Sequence, residues 1–266
     1  MSSFEFLTVT DHPVPGLPEA QVRVLTLARE AKKNAISVGL SSDLAQAVRE
    51  ADQDARVRAV VVTALGSVFS AGVDLSLFLG QAPDIGARPP ESVTTPDILY
   101  QALAGCQKPL VALVQGQAVG MGVTLLPYFD LVYASDQATF ACPFVKLGLV
   151  LEFGSSFSLP RLIGRQRTNE LMLRAAPLDA ATAERWGLVT RVFPHAELAS
   201  RALELVLEIA ANPPSAVAES KRLIREGEQA THWQGCVDAE NAALQSRYGS
   251  PENLEAVTAF FSRRSR

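Results

Sequence analysis

Two stretches of the chain, Ala59-Val60-Val61-Val62 and Leu110-Val111-Ala112-Leu113-Val114, are apolar without any polar alternation. Their β-branched density is that of strands buried on both faces, a condition met when helices cover a mostly parallel sheet. The sequence between and around them fits that demand. A helix is expected over 41–51, with Ser41 or Ser42 as N-cap and Leu44, Ala47, Val48 and Ala51 at three-and-four spacing. A second is expected over 97–106, ended by Lys108-Pro109 just before the next buried run. Strand and helix therefore alternate, and the fold class is α/β. The opening reads as a β-hairpin, 4–10 and 21–27, around a Pro/Gly loop. Beyond residue 155 the periodicity turns helical, over 165–174, 179–186, 197–211, 215–226 and 234–247, with one short strand at 188–193. Asn212-Pro213-Pro214 stops one helix and starts another, and Pro251 can open a last helix into Phe260-Phe261. Residues 80–95, rich in Pro, Gly and Ala, are expected to form a mobile loop.

The 266 residues suffice for one large domain, or for a core with a helical appendage. No stretch of roughly 18 uninterrupted apolar residues occurs, so no membrane span is expected. The start lacks a basic region followed by an apolar segment, which leads to the expectation of a cytoplasmic protein. The three cysteines, Cys106, Cys142 and Cys236, are far apart and read as buried thiols rather than as disulfide or metal sites. The histidines at 12, 195 and 232 have no zinc-site spacing to one another or to cysteine, so no metal is expected. A net charge of −4 and a pI near 5.5 exclude binding to nucleic acid through a general basic surface, while leaving room for a small basic pocket.

Two segments carry the chemistry. Phe69-Ser70-Ala71-Gly72-Val73-Asp74-Leu75 follows the first buried run, and Gly116-Gln117-Ala118-Val119-Gly120-Met121-Gly122 follows the second. Each puts glycine at a strand exit, where a backbone can approach a ligand closely and a following helix presents free N–H groups to an anion or oxyanion. Spacing alone leaves the plainer alternative open, since strand-to-helix turns of any α/β protein use glycine. Neither segment is a phosphate loop, and Gly120-Met121-Gly122 lacks the third glycine of a dinucleotide fingerprint.

The order and spacing of these pieces resemble the crotonase (enoyl-CoA hydratase/isomerase) superfamily over nearly the whole chain. Lys33-Asn34-Ala35-Ile36-Ser37 resembles its early CoA-binding loop, and the two glycine segments resemble its two oxyanion segments. Phe129 to Ser135, with Ala138-Thr139-Phe140, continues the likeness. The resemblance implies a ββα superhelix core over 1–195 and a helical C-terminal region over 196–266 that builds a homotrimer or a dimer of trimers. It also implies an acyl-CoA substrate and no separate cofactor. The thioester oxygen would accept hydrogen bonds from the N–H groups of Val73 and Met121. Lys33, Ala35, Ala71, Gly72, Asp74, Leu75, Gly120, Thr124 and Phe144 would line the substrate and CoA site.

The acids depart from the hydratase pattern. Where hydratases of the superfamily carry two glutamates, this chain has Thr124 and Phe144, neither of which can be a carboxylate base. Glu152, within Gly148-Leu149-Val150-Leu151-Glu152-Phe153-Gly154, resembles the single glutamate of the peroxisomal-type 3-enoyl to trans-2-enoyl-CoA isomerases, with Leu151 where that branch often has proline. One base suffices there, because carbons 2 and 4 of the acyl chain can lie on one side and a single carboxylate can shuttle the proton. Leu151 and Phe153 on either side would desolvate Glu152 and raise its pKa toward the working range. Hydration, another crotonase-type reaction and CoA-ester binding without turnover are the competing expectations; by local sequence alone Glu152 is a solvent-facing strand residue. Asp74 reads as an N-cap or loop-ordering residue, Asp130 as the anchor of a buried turn, and His195 as a surface helix start. Lys32, Lys33, Lys221 and Arg222 read either as solvated charges or, by the resemblance, as neighbours of the CoA phosphates.

Overall fold

The structure is a computed structural model that describes residues 4–74 and 97–228, together with scattered positions between 241 and 262. The chain begins with an antiparallel hairpin of β1 (Leu7–Val14) and β2 (Leu17–Leu27), longer than the expected strands and closed by Pro15-Gly16, with Gly16 at φ +78°. Helix α1 (Val38–Gln53) follows, then β3 (Val57–Ala64) and the short β4 (Val68–Ser70). Next come α2 (Asp97–Gly105), β5 (Leu110–Val114), β6 (Gln117–Val119) and the one-turn α3 (Met121–Thr124). The chain continues through β7 (Leu131–Ser135), β8 (Thr139–Ala141), α4 (Ser155–Leu162), α5 (Arg165–Asn169) with a π turn at Glu170–Arg174, and β9 (Leu178–Asp179). Helix α6 (Ala180–Trp186), β10 (Arg191–Phe193), α7 (Leu198–Ala210) and α8 (Pro214–Glu228) complete the described elements.

The strands form two sheets. The larger has the order β1-β2-β3-β5-β7-β10, parallel from β2 onward, and the smaller has the order β4-β6-β8-β9. Three times in succession the chain lays one strand in the large sheet and the next, after two or three residues, in the small one: β3 to β4, β5 to β6, β7 to β8. This ββα repetition is the expected fold class. The small sheet escapes a reading by pattern because three-residue strands are too short to show a period.

Residue by residue, the large sheet explains its unbroken apolar runs. Val60, Val62, Ala112 and Val114 face the core shared with α1, α2 and the small sheet, whereas Ala59, Val61, Val111 and Leu113 face the opposite layer, which α7 covers with Leu198, Ala202, Val206 and Ala210. Alternate side chains of a strand point to opposite faces, so burial on both removes the polar positions. Helix α7, the first element of the expected C-terminal region, thus packs on the sheet of the core. Helix α1 begins earlier than expected. Ser37, with extended backbone, is its N-cap and accepts a hydrogen bond from Leu40 N at 3.2 Å, which places Ser41 inside the helix as a buried residue. No helix among the described residues is long and apolar enough to cross a membrane.

Candidate active site

The first glycine segment leaves β4 and is stitched to the loop before α1. Val73 forms an isolated parallel bridge with Ile36, in which Ile36 N donates to Gly72 O at 2.7 Å and Asp74 N donates to Ile36 O at 3.1 Å. In a parallel bridge the residues flanking Val73 make both bonds, so the N–H of Val73 itself faces away from Ile36. Ala71 N donates to Lys33 O at 3.0 Å, and Ser70 Oγ donates to Asn34 O at 2.9 Å. Fully buried Asn34, at φ +51°, holds this corner: its amide donates to Leu65 O and Val68 O while its side-chain oxygen accepts from Arg29 N. Asp74 orders the loop, as expected, by pairing with Arg29 at 2.8 Å; the same guanidinium donates to Ala35 O. Sequence reasoning singled out neither Arg29 nor the amide of Asn34, because their partners lie up to 45 residues away.

The second segment leaves β6 alongside the first. Gly120, at φ +53°, donates its N–H to Ala141 O, and Met121 is the first residue of α3. The N–H groups of a first helical turn have no partner within the helix, and Gly120 has no side chain with which to cap them. Among the described residues neither Met121 N–H nor Val73 N–H has an acceptor. The two segments touch: a Cβ on Gly72 would lie 2.7 Å from Val119 O and 3.4 Å from Met121 N. The buried ring of Phe144 also packs on Gly120, with its edge 3.6 Å from where a Cβ would sit.

Glu152 is only 7% exposed and lies in a loop, not in a solvent-facing strand. Thr124, the last residue of α3, places its hydroxyl 3.4 Å from Glu152 Oε1. The carboxylate also acts on Cys142, whose thiol is pushed well above its ordinary range, first by burial and then by the charge of Glu152. Immediately after Glu152 the chain reverses: Phe153 at φ +56° and Gly154 at φ +69° are the two central residues of a turn closed by Ser155 N donating to Glu152 O at 3.0 Å. Two successive positive φ values define a type I′ turn, normally built from Asn-Gly. A phenylalanine held left-handed costs on the order of 1–3 kcal/mol and persists only where its surroundings over-determine it. Here the surroundings are Tyr128, whose hydroxyl donates to Phe153 O at 2.7 Å, and the rings of Tyr128 and Tyr100, which meet the Phe153 ring edge-on at 5.1 and 6.0 Å.

The structure thus gathers Val73, Met121, Gly72, Gly120, Ala71, Ala35, Asp74, Thr124, Phe144 and Glu152 around the exits of β4 and β6. Lys33 lies at the rim, left-handed at φ +52° with an exposed side chain. Leu75 falls outside the described residues, as do Phe78, the segment 80–95, His232, Cys236 and Phe260, together with most of the helix expected over 234–247. Lys221 is neither a solvated charge nor a rim residue. It is buried, bonded to Asp130 at 2.6 Å and to Lys108 O at 2.5 Å, and burial lowers its pKa. Asp130 anchors the turn before β7, also accepting from Leu110 N at 2.7 Å, and Arg222 pairs with Glu219 on the surface. His195 is exposed just before α7, with Nδ1 3.0 Å from Ser135 Oγ. Cys106 and Cys142 are buried free thiols. Among the described residues no three His, Cys, Asp or Glu side chains gather to hold a metal. A cavity of about 240 Å³ between α8 and the entries of β3 and β5, lined by Arg58, Lys108, Pro109 and Val217, includes none of the site residues.

The two-sheet spiral and its paired glycine corners are those of the crotonase class. A solved enoyl-CoA hydratase/isomerase from Pseudoalteromonas atlantica T6c superposes with a TM-score of 0.86 at 35% identity, covering 97% of this chain and 98% of that one. The chain belongs to the enoyl-CoA hydratase/isomerase family, matching its pattern over residues 18–266. Human enoyl-CoA delta isomerase 2 is 35% identical over all of this chain, which spans 65% of that protein's length. An Arthrobacter 4-chlorobenzoyl coenzyme A dehalogenase is 32% identical over 97% of the chain and 93% of its own length.

Proposed function

We propose that the protein is an enoyl-CoA isomerase that moves a double bond from position 3 to trans-2 of an acyl-CoA, with Glu152 shuttling the proton as a single base. The observation that carries this reading is the burial of one carboxylate, Glu152, bonded to Thr124 on the helix that Met121 opens, with two backbone N–H groups that have no acceptor among the described residues; by the resemblance, the two hydratase glutamates are replaced by Thr124 and Phe144. The thioester oxygen accepts from Val73 N–H and Met121 N–H. Glu152 takes the proton from carbon 2, and the C–H electron pair passes into a dienolate whose negative charge rests on that oxygen. The neutral carboxyl then delivers the proton to carbon 4, the carbonyl re-forms, and the new double bond joins carbons 2 and 3. Atoms balance without water, metal or added cofactor. Thr124, bonded to the carboxylate, keeps it oriented between the two carbons, and Phe144 and Met121 shape the acyl space. Lys33, exposed at the rim, is assigned to the CoA phosphates by the resemblance. The reading extends to a cytoplasmic protein and to a homotrimer or dimer of trimers, association being supported by the apolar Leu223 and Ile224, which α8 leaves 56% and 65% exposed. The likeness to a delta isomerase supports the same activity.

The test is incubation with 3-hexenoyl-CoA and, separately, trans-2-hexenoyl-CoA, with products separated by chromatography. Gain of conjugated-enoyl absorbance from the first ester is expected; formation of 3-hydroxyacyl product from the second would make the protein a hydratase, and silence in both would leave an unusual substrate or a binding role. Glu152→Gln is expected to keep CoA-ester binding and lose at least about a hundredfold in turnover, as for a missing general base. A near-normal rate would remove Glu152 from the mechanism.

A further inference from the structure

Met121, one of the two residues that would stabilise the oxyanion, and two residues that hold Glu152 and its turn belong to one continuous piece of chain. Met121 opens α3, Thr124 closes it with its hydroxyl on Glu152, and Tyr128, at the end of the 3-10 turn Leu126–Tyr128, donates to Phe153 O at 2.7 Å. Between these points the segment is pinned, with Leu125 N donating to Met121 O and Tyr128 N donating to Leu125 O. We infer that Tyr128 is a positioning residue for Glu152: by holding the left-handed Phe153 through its carbonyl and its ring, it fixes the carboxylate relative to the N–H of Met121. Three observations carry this. Phe153 occupies the first central position of a type I′ turn, which asparagine fills far more readily. The Cβ of an L residue makes this conformation costly, and the Phe153 ring beyond it is held edge-on by Tyr128 and Tyr100, themselves 5.4 Å apart at 81°. The residue directly before the turn is Glu152, so any relaxation of Phe153 toward negative φ re-aims that side chain.

This inference rests on the isomerase reading for its kinetic consequence, because a base serving two carbons tolerates little displacement. Tyr128→Phe removes the hydroxyl and keeps the ring. It is expected to lower kcat on 3-hexenoyl-CoA about tenfold, at the scale of a misplaced base, and to leave KM within about twofold. Phe153→Asn in the Tyr128→Phe background, supplying a residue suited to the turn, is expected to recover at least about threefold of that loss, which a general loosening of the fold would not allow. Crystal structures of the wild type and of Tyr128→Phe give a readout independent of turnover: Phe153 is expected at positive φ in the first, with the Glu152 carboxylate displaced in the second. An unchanged turn and carboxylate, or an unchanged kcat in an active enzyme, overturns the role of Tyr128. A wild type silent on the 3-enoyl ester overturns the isomerase reading instead, and the crystallographic comparison then decides the positioning role alone.

Discussion

Gly72 carries more of the site than its size suggests. Its φ of +85° disfavours any L side chain, and a Cβ would press on Val119 O at 2.7 Å, backbone against backbone. Gly72→Ala must therefore part the two segments that bear Val73 and Met121. The expected result is a loss of about 1–3 kcal/mol in stability, seen as a lower Tm, and a fall in kcat larger than the rise in KM. Retention of both parameters would mean that the corner does not govern the N–H pair. The glycines were legible in the sequence as strand-exit positions, because positive φ and close approach leave their mark on residue type. Glu152 was not legible by its own surroundings. Its burial is decided by the turn at Phe153-Gly154 and by Tyr128, a contact over 25 residues that no local pattern encodes.

At the scale of elements, long strands and amphipathic helices were readable and their edges less so. Strand β5 falls where its five apolar residues stand, and α6 starts after Asp179, whose side chain accepts from Thr182 N at 2.7 Å. The start of α1 was misplaced because Ser37, Ser41 and Ser42 are all competent caps, and only the extended backbone at Ser37 singles out the one used. The loop before α1 owes its shape to Asn34, which joins Arg29, Leu65 and Val68 through its side chain alone. Asn34→Ala removes three part-buried hydrogen bonds, two accepted by carbonyls and one donated by an N–H, each worth roughly 0.5–1.5 kcal/mol. The expected outcome is a Tm lowered by several degrees and faster amide exchange at Arg29, with β5 and β7 unaffected. Uniform exchange throughout the chain would show that the loop does not open by itself.

At the entry of β5, helices α1, α2 and α8 meet around groups that titrate at high pH. Burial pushes the Cys106 thiol from 9.0 to about 11, while burial lowers the pKa of Lys108 and Lys221 beside it. The signs oppose. A raised thiol pKa contributes stability that is complete below pH 9 and lost as pH rises toward 11, when the unfolded chain ionises first; a lowered lysine pKa has the reverse slope below its ordinary 10.5. Comparison with Cys106→Ala isolates the first contribution, on the order of 2 kcal/mol. Between pH 8 and 10.5 the Tm of the wild type is expected to fall more steeply than that of the variant; parallel curves would show that the thiol does not titrate with unfolding. One further feature governs what this architecture can absorb as it diversifies. The steps from the large sheet to the small one are short, and at Gly116 even a methyl group would run into Ser67 O of the neighbouring step. Inserted sequence has no room in these steps. New loops, fusion points and permuted termini must enter through the return paths, such as the Asn212-Pro213 link between α7 and α8, so the chain can grow only along the outside of its spiral.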